Sequence, residues 1–268
     1  MSGGKKLTVS HFRKMKERGE KIVVLTAYDA PMAALASICG IEMLLVGDSM
    51  ANTVLGYRNT LPLKLEQSLH HCAAVRRGSP EAFIIGDMPF MSWQAGIEDA
   101  LKNAARYLQD AGCDAIKLEG GREVAALVER FVNCGIPVMG HIGLLPQKVL
   151  TSGGYKIAGK TEDDAVRLIE DAQALEKAGA FCVVLECIPA EVSKRITAAV
   201  SIPTIGIGAG GGCDGQVQIV TDLLGLFTGF TPKHAKQYTN LTGEITKAFD
   251  TYVKEVKTGI FPGKENSF

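Results

Sequence analysis

Five short apolar runs in this chain each stop on a side chain that can hold a cation or move a proton. Asp48 closes VGD, Asp87 closes IIGD, Glu119 closes IKLE, His141 closes VMGH and Glu186 closes VVLE. A single acidic residue after an apolar run commonly does no more than cap the next helix. Four carboxylates in equivalent positions imply more, because in one shared cavity they repel one another and persist only around a cation or with a shared proton. Oxygen donors without paired Cys or several His select a hard divalent ion, magnesium rather than zinc. In AIKLEGG, Lys117 and Glu119 are two positions apart and on a strand share a face, leaving Ile116 and Leu118 on the other. A lysine inside such a cavity is costly to bury unless it meets anions, so Lys117 is expected to neutralise a carboxylate or an enolate. For His141 two roles stay open, support of this site or a purely structural hydrogen bond.

Residues so far apart in the chain meet only if a regular scaffold brings strand ends together. The sequence repeats one plan: an amphipathic helix, a glycine, then a β-branched run that ends on a polar residue. Gly40, Gly78, Gly112, Gly135 and Gly179 stand where left-handed helix C-caps are expected. The runs after them are apolar throughout, as in strands buried on both faces. With KIVVLTAYD, PTIGIGAG and QVQIVTD added, eight candidate strands alternate with helical patterns. That predicts parallel strands with right-handed crossovers. A chain of 268 residues suits a (β/α)8 barrel in one domain, residues 1–268, with a short N-terminal extension and a C-terminal helix and tail. An open doubly wound sheet shares the local signature, but no GxGxxG follows the first strand. Two long loops, SMANTVLGYRNTLPLK and LLPQKVLTSGGYKIAGKTEDD, are expected at the C-terminal mouth, where function collects. A final amphipathic helix is expected from about Leu241 to Lys257.

Lys plus Arg and Asp plus Glu both total 29, so no long-range field draws nucleic acid or an anionic membrane. The expected partners are small molecules. The basic start of the chain has no apolar run behind it, and no stretch has the length of a membrane span, which points to a cytoplasmic protein. Seven cysteines without CxxC spacing read as buried free thiols. His70 and His71 fall in a helical pattern and read as packing residues. Asp29 either reaches the mouth beside Tyr28 or caps the following helix. The glycines of GIGAG, Gly206 to Gly210, mark either a tight loop or an anion cradle.

Many ordered blocks carry a resemblance that runs from about Leu7 to the C-terminus. LTAYDAPMA, LLVGDSMANTVLGY, HHCAAVRRG, GDMPFMSW, AGCDAIKLEGG, PVMGHIGLLPQ, GGYKIAGK, AGAFCVVLECIP, IPTIGIGAGGGCDGQ and GIFPG together are similar to the 3-methyl-2-oxobutanoate (ketopantoate) hydroxymethyltransferase family. The resemblance implies a (β/α)8 barrel of the phosphoenolpyruvate/pyruvate superfamily, assembled as a homo-oligomer, usually a decamer. It implies Mg2+ and a one-carbon unit from 5,10-methylenetetrahydrofolate, with ketopantoate for pantothenate and coenzyme A synthesis as product. Asp48, Asp87 and Glu119 would surround the metal; Asp48, Ser49, Asp87 and Lys117 would contact the keto acid; Glu186 would be the general base. Leu145 departs from the threonine usual there, the glycine run before Cys213 is stretched, and KENSF replaces the common ending. These departures bear on loops and folate contacts. The rival enzyme is a magnesium-dependent carbon–carbon lyase or phosphonomutase of the same superfamily, which would want an acid cysteine in a mobile loop, a place only Cys213 could fill. The rival outside catalysis is a barrel that merely binds a keto acid, which would have no use for Glu186 beside a complete ligand set.

Overall fold

The computed structural model describes residues 6–226 and 232–268. The basic start of the chain lies, up to residue 5, outside the described residues. Internal contacts divide the chain into two compact units, Met1–Ile219 and Val220–Phe268.

In the first unit eight parallel strands close into a barrel in chain order, β8 pairing back onto β1. They are β1 (Ile22–Thr26), β2 (Met43–Val46), β3 (Phe83–Asp87), β4 (Ala115–Lys117), β5 (Val138–Gly143), β6 (Cys182–Glu186), β7 (Thr204–Ile207) and β8 (Gly215–Gln218). The open-sheet alternative is thereby excluded. Around the strands run α1 (Val9–Glu17), α2 (Ala30–Ile38), α3 (Met50–Thr53), α4 (Leu65–Gly78), α5 (Ile97–Gln109), α6 (Ala125–Asn133), α7 (Glu162–Lys177) and α8 (Ala190–Ala199). The eighth strand is shorter than QVQIVTD suggested: pairing ends at Gln218, and Val220–Leu224 is helical, forming α9 of the second unit. A short apolar run reads the same by periodicity in a strand or a buried helix, so the sequence could not place that border.

Strand parity separates two layers. Ile22, Val24, Met43, Leu45, Phe83, Ile85, Ala115, Met139, Cys182, Val184, Ile205 and Val217 form one buried cluster inside the barrel. The alternate residues, such as Ile84, Ile116 and Leu118, are equally buried but face the helices. Phe12 of α1, fully buried, joins the inner cluster; its ring lies 4.9 Å from that of Phe83 and 6.4 Å from that of Phe181, at the N-terminal ends of β3 and β6. Lys16 holds the same helix down through the carbonyls of Thr197 (3.0 Å) and Ile202 (2.9 Å). What the sequence suggested as a mere extension is therefore the plug of the barrel floor.

Four of the five expected cap glycines, Gly40, Gly112, Gly135 and Gly179, have positive φ. Gly78 does not: it is the last residue of α4, and a Cβ there would lie 2.1 Å from the Ala30 carbonyl oxygen, so glycine serves close helix packing instead. The cysteines also divide. Cys72, Cys113, Cys182 and Cys213 are buried and Cys187 half-buried, but Cys39 and Cys134 are exposed, because each is the C-cap of a surface helix just before its glycine.

The second unit contains α9 and α10 (Leu241–Thr258), the latter one residue longer than expected. Asn240 caps α10 by accepting from the Gly243 N–H at 3.1 Å, and Gly259 ends it with a φ of 73°.

Phe12→Ala removes a fully buried ring of the floor and is expected to lower unfolding stability by about 3–5 kcal/mol. Urea denaturation followed by circular dichroism measures this; an unchanged midpoint would mean that α1 does not seal the barrel.

Candidate active site

The site residues lie on the inward parity of the barrel wall, continued upward. Phe83, Ile85 and Asp87 share one stripe, as do Ala115, Lys117 and Glu119; Met139 and His141; and Cys182, Val184 and Glu186. Apolar side chains fill the lower layers and charged ones the top. Asp87, Lys117 and Glu186 are the last residues of their strands, whereas Glu119 lies two beyond β4, Asp48 two beyond β2, and His141 inside β5. Parity alone does not deliver Asp48; it enters the mouth because the chain turns at Gly47, where a Cβ would lie 2.9 Å from Ser49 Oγ.

Lys117 Nζ sits 2.7 Å from Asp87 Oδ1 and 2.8 Å from Oδ2, with both side chains almost wholly buried. The Asp48 backbone N–H donates to Asp87 Oδ2 at 3.0 Å. Behind Asp87, the hydroxyls of Ser68 (3.2 Å) and Tyr107 (3.0 Å) donate to its carbonyl. Tyr107 comes that close because Gly86 offers no side chain: a Cβ there would overlap the ring at 2.2 Å. Ser49 Oγ lies 2.8 Å from the Tyr28 hydroxyl. Tyr28 therefore reaches the mouth, while its neighbour Asp29 caps α2 through the Met32 N–H. His71 is structural, its Nδ1 being 2.6 Å from the Tyr28 carbonyl.

Burial penalises every charge here. It pushes the Asp48 carboxyl up to about 7, with Asp87 adding to the shift and Lys117 and Gln147 opposing it. Burial, then Asp48, raises Glu119 well above the usual carboxylate range. Burial works against the Lys117 ammonium too, yet Asp87, Asp48 and Glu119 outweigh it and raise the pKa. His141 is pushed well below its ordinary value by burial and by Lys117, so it is neutral near pH 7. It stands between two carboxylates, with Nδ1 3.8 Å from Glu119 Oε1 and Nε2 3.1 Å from Glu186 Oε2. Neither approach makes a hydrogen bond of good angle, and Glu119 Oε1 and both ring nitrogens are buried without a hydrogen-bond partner.

The set thus holds Asp48, Asp87 and Glu119 against one lysine, with an unpartnered carboxylate oxygen in their midst. That donor chemistry fits a hard cation. Among the described residues no three His, Cys, Asp or Glu side chains are spaced to hold a metal between them. The fit is therefore to an ion that takes one or two carboxylates and fills its shell with water and substrate oxygens, as magnesium does.

One residue at the centre was not singled out from the sequence. Gln147, in the loop after β5, touches both Asp48 and Glu119. Its type gave no chemical signal, and only its place behind a proline in a long loop marked it. The same loop packs on β6 through Leu144 N–H to the Glu186 carbonyl (2.8 Å) and Ala158 N–H to the Cys187 carbonyl (3.1 Å). On its outer side a cleft of about 620 Å3 opens, lined by Leu144, Leu145, Lys148, Ile157 and Leu168 among others; none of the charged mouth residues lines it. Cys213, offered by the lyase reading as a loop acid, is buried, and burial raises its thiol pKa.

Fold and site together define a (β/α)8-barrel with a charged, oxygen-rich catalytic mouth. Solved structures share this fold: a 2,3-dimethylmalate lyase of the PEP mutase/isocitrate lyase superfamily (TM-score 0.60, 18% identity, 98% of this chain and 92% of that one) and a phosphonopyruvate hydrolase complexed with oxalate and Mg++ (TM-score 0.62, 11% identity, 97% and 93%). At such identities the likeness concerns the fold alone. Sequence is more specific: the ketopantoate hydroxymethyltransferase family model matches residues 6–264, and a 3-methyl-2-oxobutanoate hydroxymethyltransferase of Syntrophus aciditrophicus (strain SB) is 54% identical over 267 residues, 100% of this chain and 98% of that protein. The chain belongs to the ketopantoate hydroxymethyltransferase family.

The Asp48 shift has a measurable sign. Its folded pKa, about 7, lies above the reference 3.8, so the native chain binds more protons than the unfolded one between those values. The group adds no penalty below pH 3.8, destabilises progressively as pH rises to about 7, and keeps the full penalty above that. In chelator, Asp48→Asn is therefore expected to gain stability relative to the parent as pH rises across this window. Parallel urea midpoints for the two chains would contradict the burial argument.

Proposed function

We propose that this chain transfers a hydroxymethyl group from 5,10-methylenetetrahydrofolate to 3-methyl-2-oxobutanoate, giving 2-dehydropantoate (ketopantoate) in pantothenate biosynthesis. The observation that carries the reading is the gathering of Asp48, Asp87, Glu119 and Lys117 beside Glu186 in one mouth, in a chain of this family. Asp48, Asp87 and Glu119 would border a magnesium ion, one or two of them as direct ligands, and the ion would supply Lewis acidity to the keto acid. Asp48, Ser49, Asp87 and Lys117 receive the keto acid. Glu186 takes the C3 proton as general base. Lys117, fixed by Asp87, offers positive charge to the enolate that forms, without reorganising at that moment. Neutral His141 borders the Glu186 carboxylate and supports it without competing as a cation. C3 bonds to the methylene carbon, both C–N bonds of that carbon to the folate break, and the hydroxyl of one water ends on it; the proton taken from C3 and the remaining water proton end on the two folate nitrogens, which leave as tetrahydrofolate.

The lyase reading gains no support from Cys213, and a keto-acid-binding barrel has no use for a base at the mouth. A cytoplasmic homodecamer belongs to the same proposal and rests on the family resemblance. Among the described residues no helix is long and apolar enough to cross a membrane.

The test follows the C3 proton of 3-methyl-2-oxobutanoate by NMR in heavy water with Mg2+, with and without 5,10-methylenetetrahydrofolate. Magnesium-dependent exchange that becomes ketopantoate formation when folate is added is the expected result; neither exchange nor product from folded, magnesium-loaded chain would refute the reading. Glu186→Gln is expected to slow exchange by at least about 100-fold while Mn2+ affinity stays within about threefold. Near-parental exchange in that variant would remove Glu186 from the base role.

A further inference from the structure

Gln147 lies in the short 3-10 turn Pro146–Lys148 and is 6% exposed. Its side-chain amide nitrogen donates to Asp48 Oδ2 at 3.1 Å and to the Met88 carbonyl, next to Asp87, at 3.0 Å. Its backbone N–H donates to Glu119 Oε2 at 3.0 Å, and its amide oxygen stands 3.4 Å from Gln94 Nε2. One loop residue thus grips one oxygen of each of two carboxylates that follow different strands, β2 and β4. The opposite oxygen of Glu119 is left buried and unpartnered. A carboxylate held by one oxygen has its other lone pairs aimed, and two carboxylates held by a common residue are aimed together.

We propose that Gln147 is a positioning residue: it orients Asp48 and Glu119 toward a shared divalent cation and makes that orientation depend on the seating of the loop after β5. The inference rests on the functional reading given above for the cation, and it adds a part that no strand supplies. When the loop is seated, the carboxylates are aligned; when the loop lifts, both lose a donor at once. The barrel wall alone fixes where these side chains start, and the loop fixes where their oxygens point. Gln147 contacts no reacting atom, so its effect is expressed through the cation and the keto acid that shares it.

The experiment compares the parent with Gln147→Met, which keeps length and the backbone N–H to Glu119 but loses the side-chain donor to Asp48, and Gln147→Asn, which keeps an amide and loses the reach. Mn2+ affinity by electron paramagnetic resonance is read without substrate, and KM for 3-methyl-2-oxobutanoate and for the folate are read separately. Thermal unfolding in chelator checks that each chain is folded. Both variants are expected to bind Mn2+ about 10- to 100-fold more weakly and to show a matching rise in KM for the keto acid, with KM for the folate unchanged. A folded variant of either kind with Mn2+ affinity and keto-acid KM within about twofold of the parent overturns the proposal, since outer partners of metal ligands ordinarily matter more than that. Failure of the reaction reading is distinguishable: a parent that binds Mn2+ but forms no ketopantoate overturns that reading alone, and the Mn2+ titration still decides Gln147. A parent that binds no Mn2+ overturns both.

Discussion

The ion pair of Lys117 with Asp87, at 2.7 and 2.8 Å in a nearly water-free setting, is the contact on which the mouth of this barrel depends. Alone, either group would be a buried uncompensated charge, and breaking such a pair commonly costs about 3–5 kcal/mol. Together they set the field for every neighbour. Lys117 offsets part of the repulsion that Asp48 and Glu119 feel, and it disfavours a proton on His141. Burial first, and the neighbouring carboxylates second, raise the pKa values of Asp48 and Glu119 despite the lysine. On the proposed reading a divalent cation would relieve that repulsion, so burial that destabilises the charged carboxylates would become affinity for the ion.

The rest of the barrel can be understood as the means of holding this charge set still. Asp87 is secured from behind by Ser68 of α4 and by Tyr107 of α5, whose ring approaches through the gap left by Gly86. The lower layers are apolar and sealed by Phe12. Stability therefore concentrates at the floor and function at the mouth, a division that a closed parallel barrel imposes because all strands point the same way. The plug helix matters to the chemistry only indirectly: a wet floor would raise the local dielectric and weaken the electrostatics above it.

Much of this was legible in the sequence, and the misses have physical reasons. The strand count and the polar residues that close the strands follow from short apolar runs alternating with helical patterns, and the shared face of Lys117 and Glu119 follows from the two-residue period of a strand. The border after Gln218 did not follow, because IV is apolar in a strand and in a helix alike. Gly78 was expected as a left-handed cap and proved to be a close-contact glycine, since the sequence marks an absent side chain but not what lies against it. The floor role of Phe12 and the double grip of Gln147 depend on contacts between distant segments, which no local pattern encodes.

The same geometry separates two glutamates of identical chemistry. Glu119 is 1% exposed, strongly disposed to keep a proton, and tied through Oε2 to the Gln147 backbone. A group so enclosed can anchor, but it cannot pass a proton to water between turnovers. Glu186 ends β6, keeps 19% of its side chain open, and faces neutral His141 across 3.1 Å. A general base must both reach the substrate and be reset by solvent, and of the two only Glu186 meets the second condition. On the proposed reading, how far a carboxylate is enclosed, more than its identity, would decide between holding a cation and moving a proton.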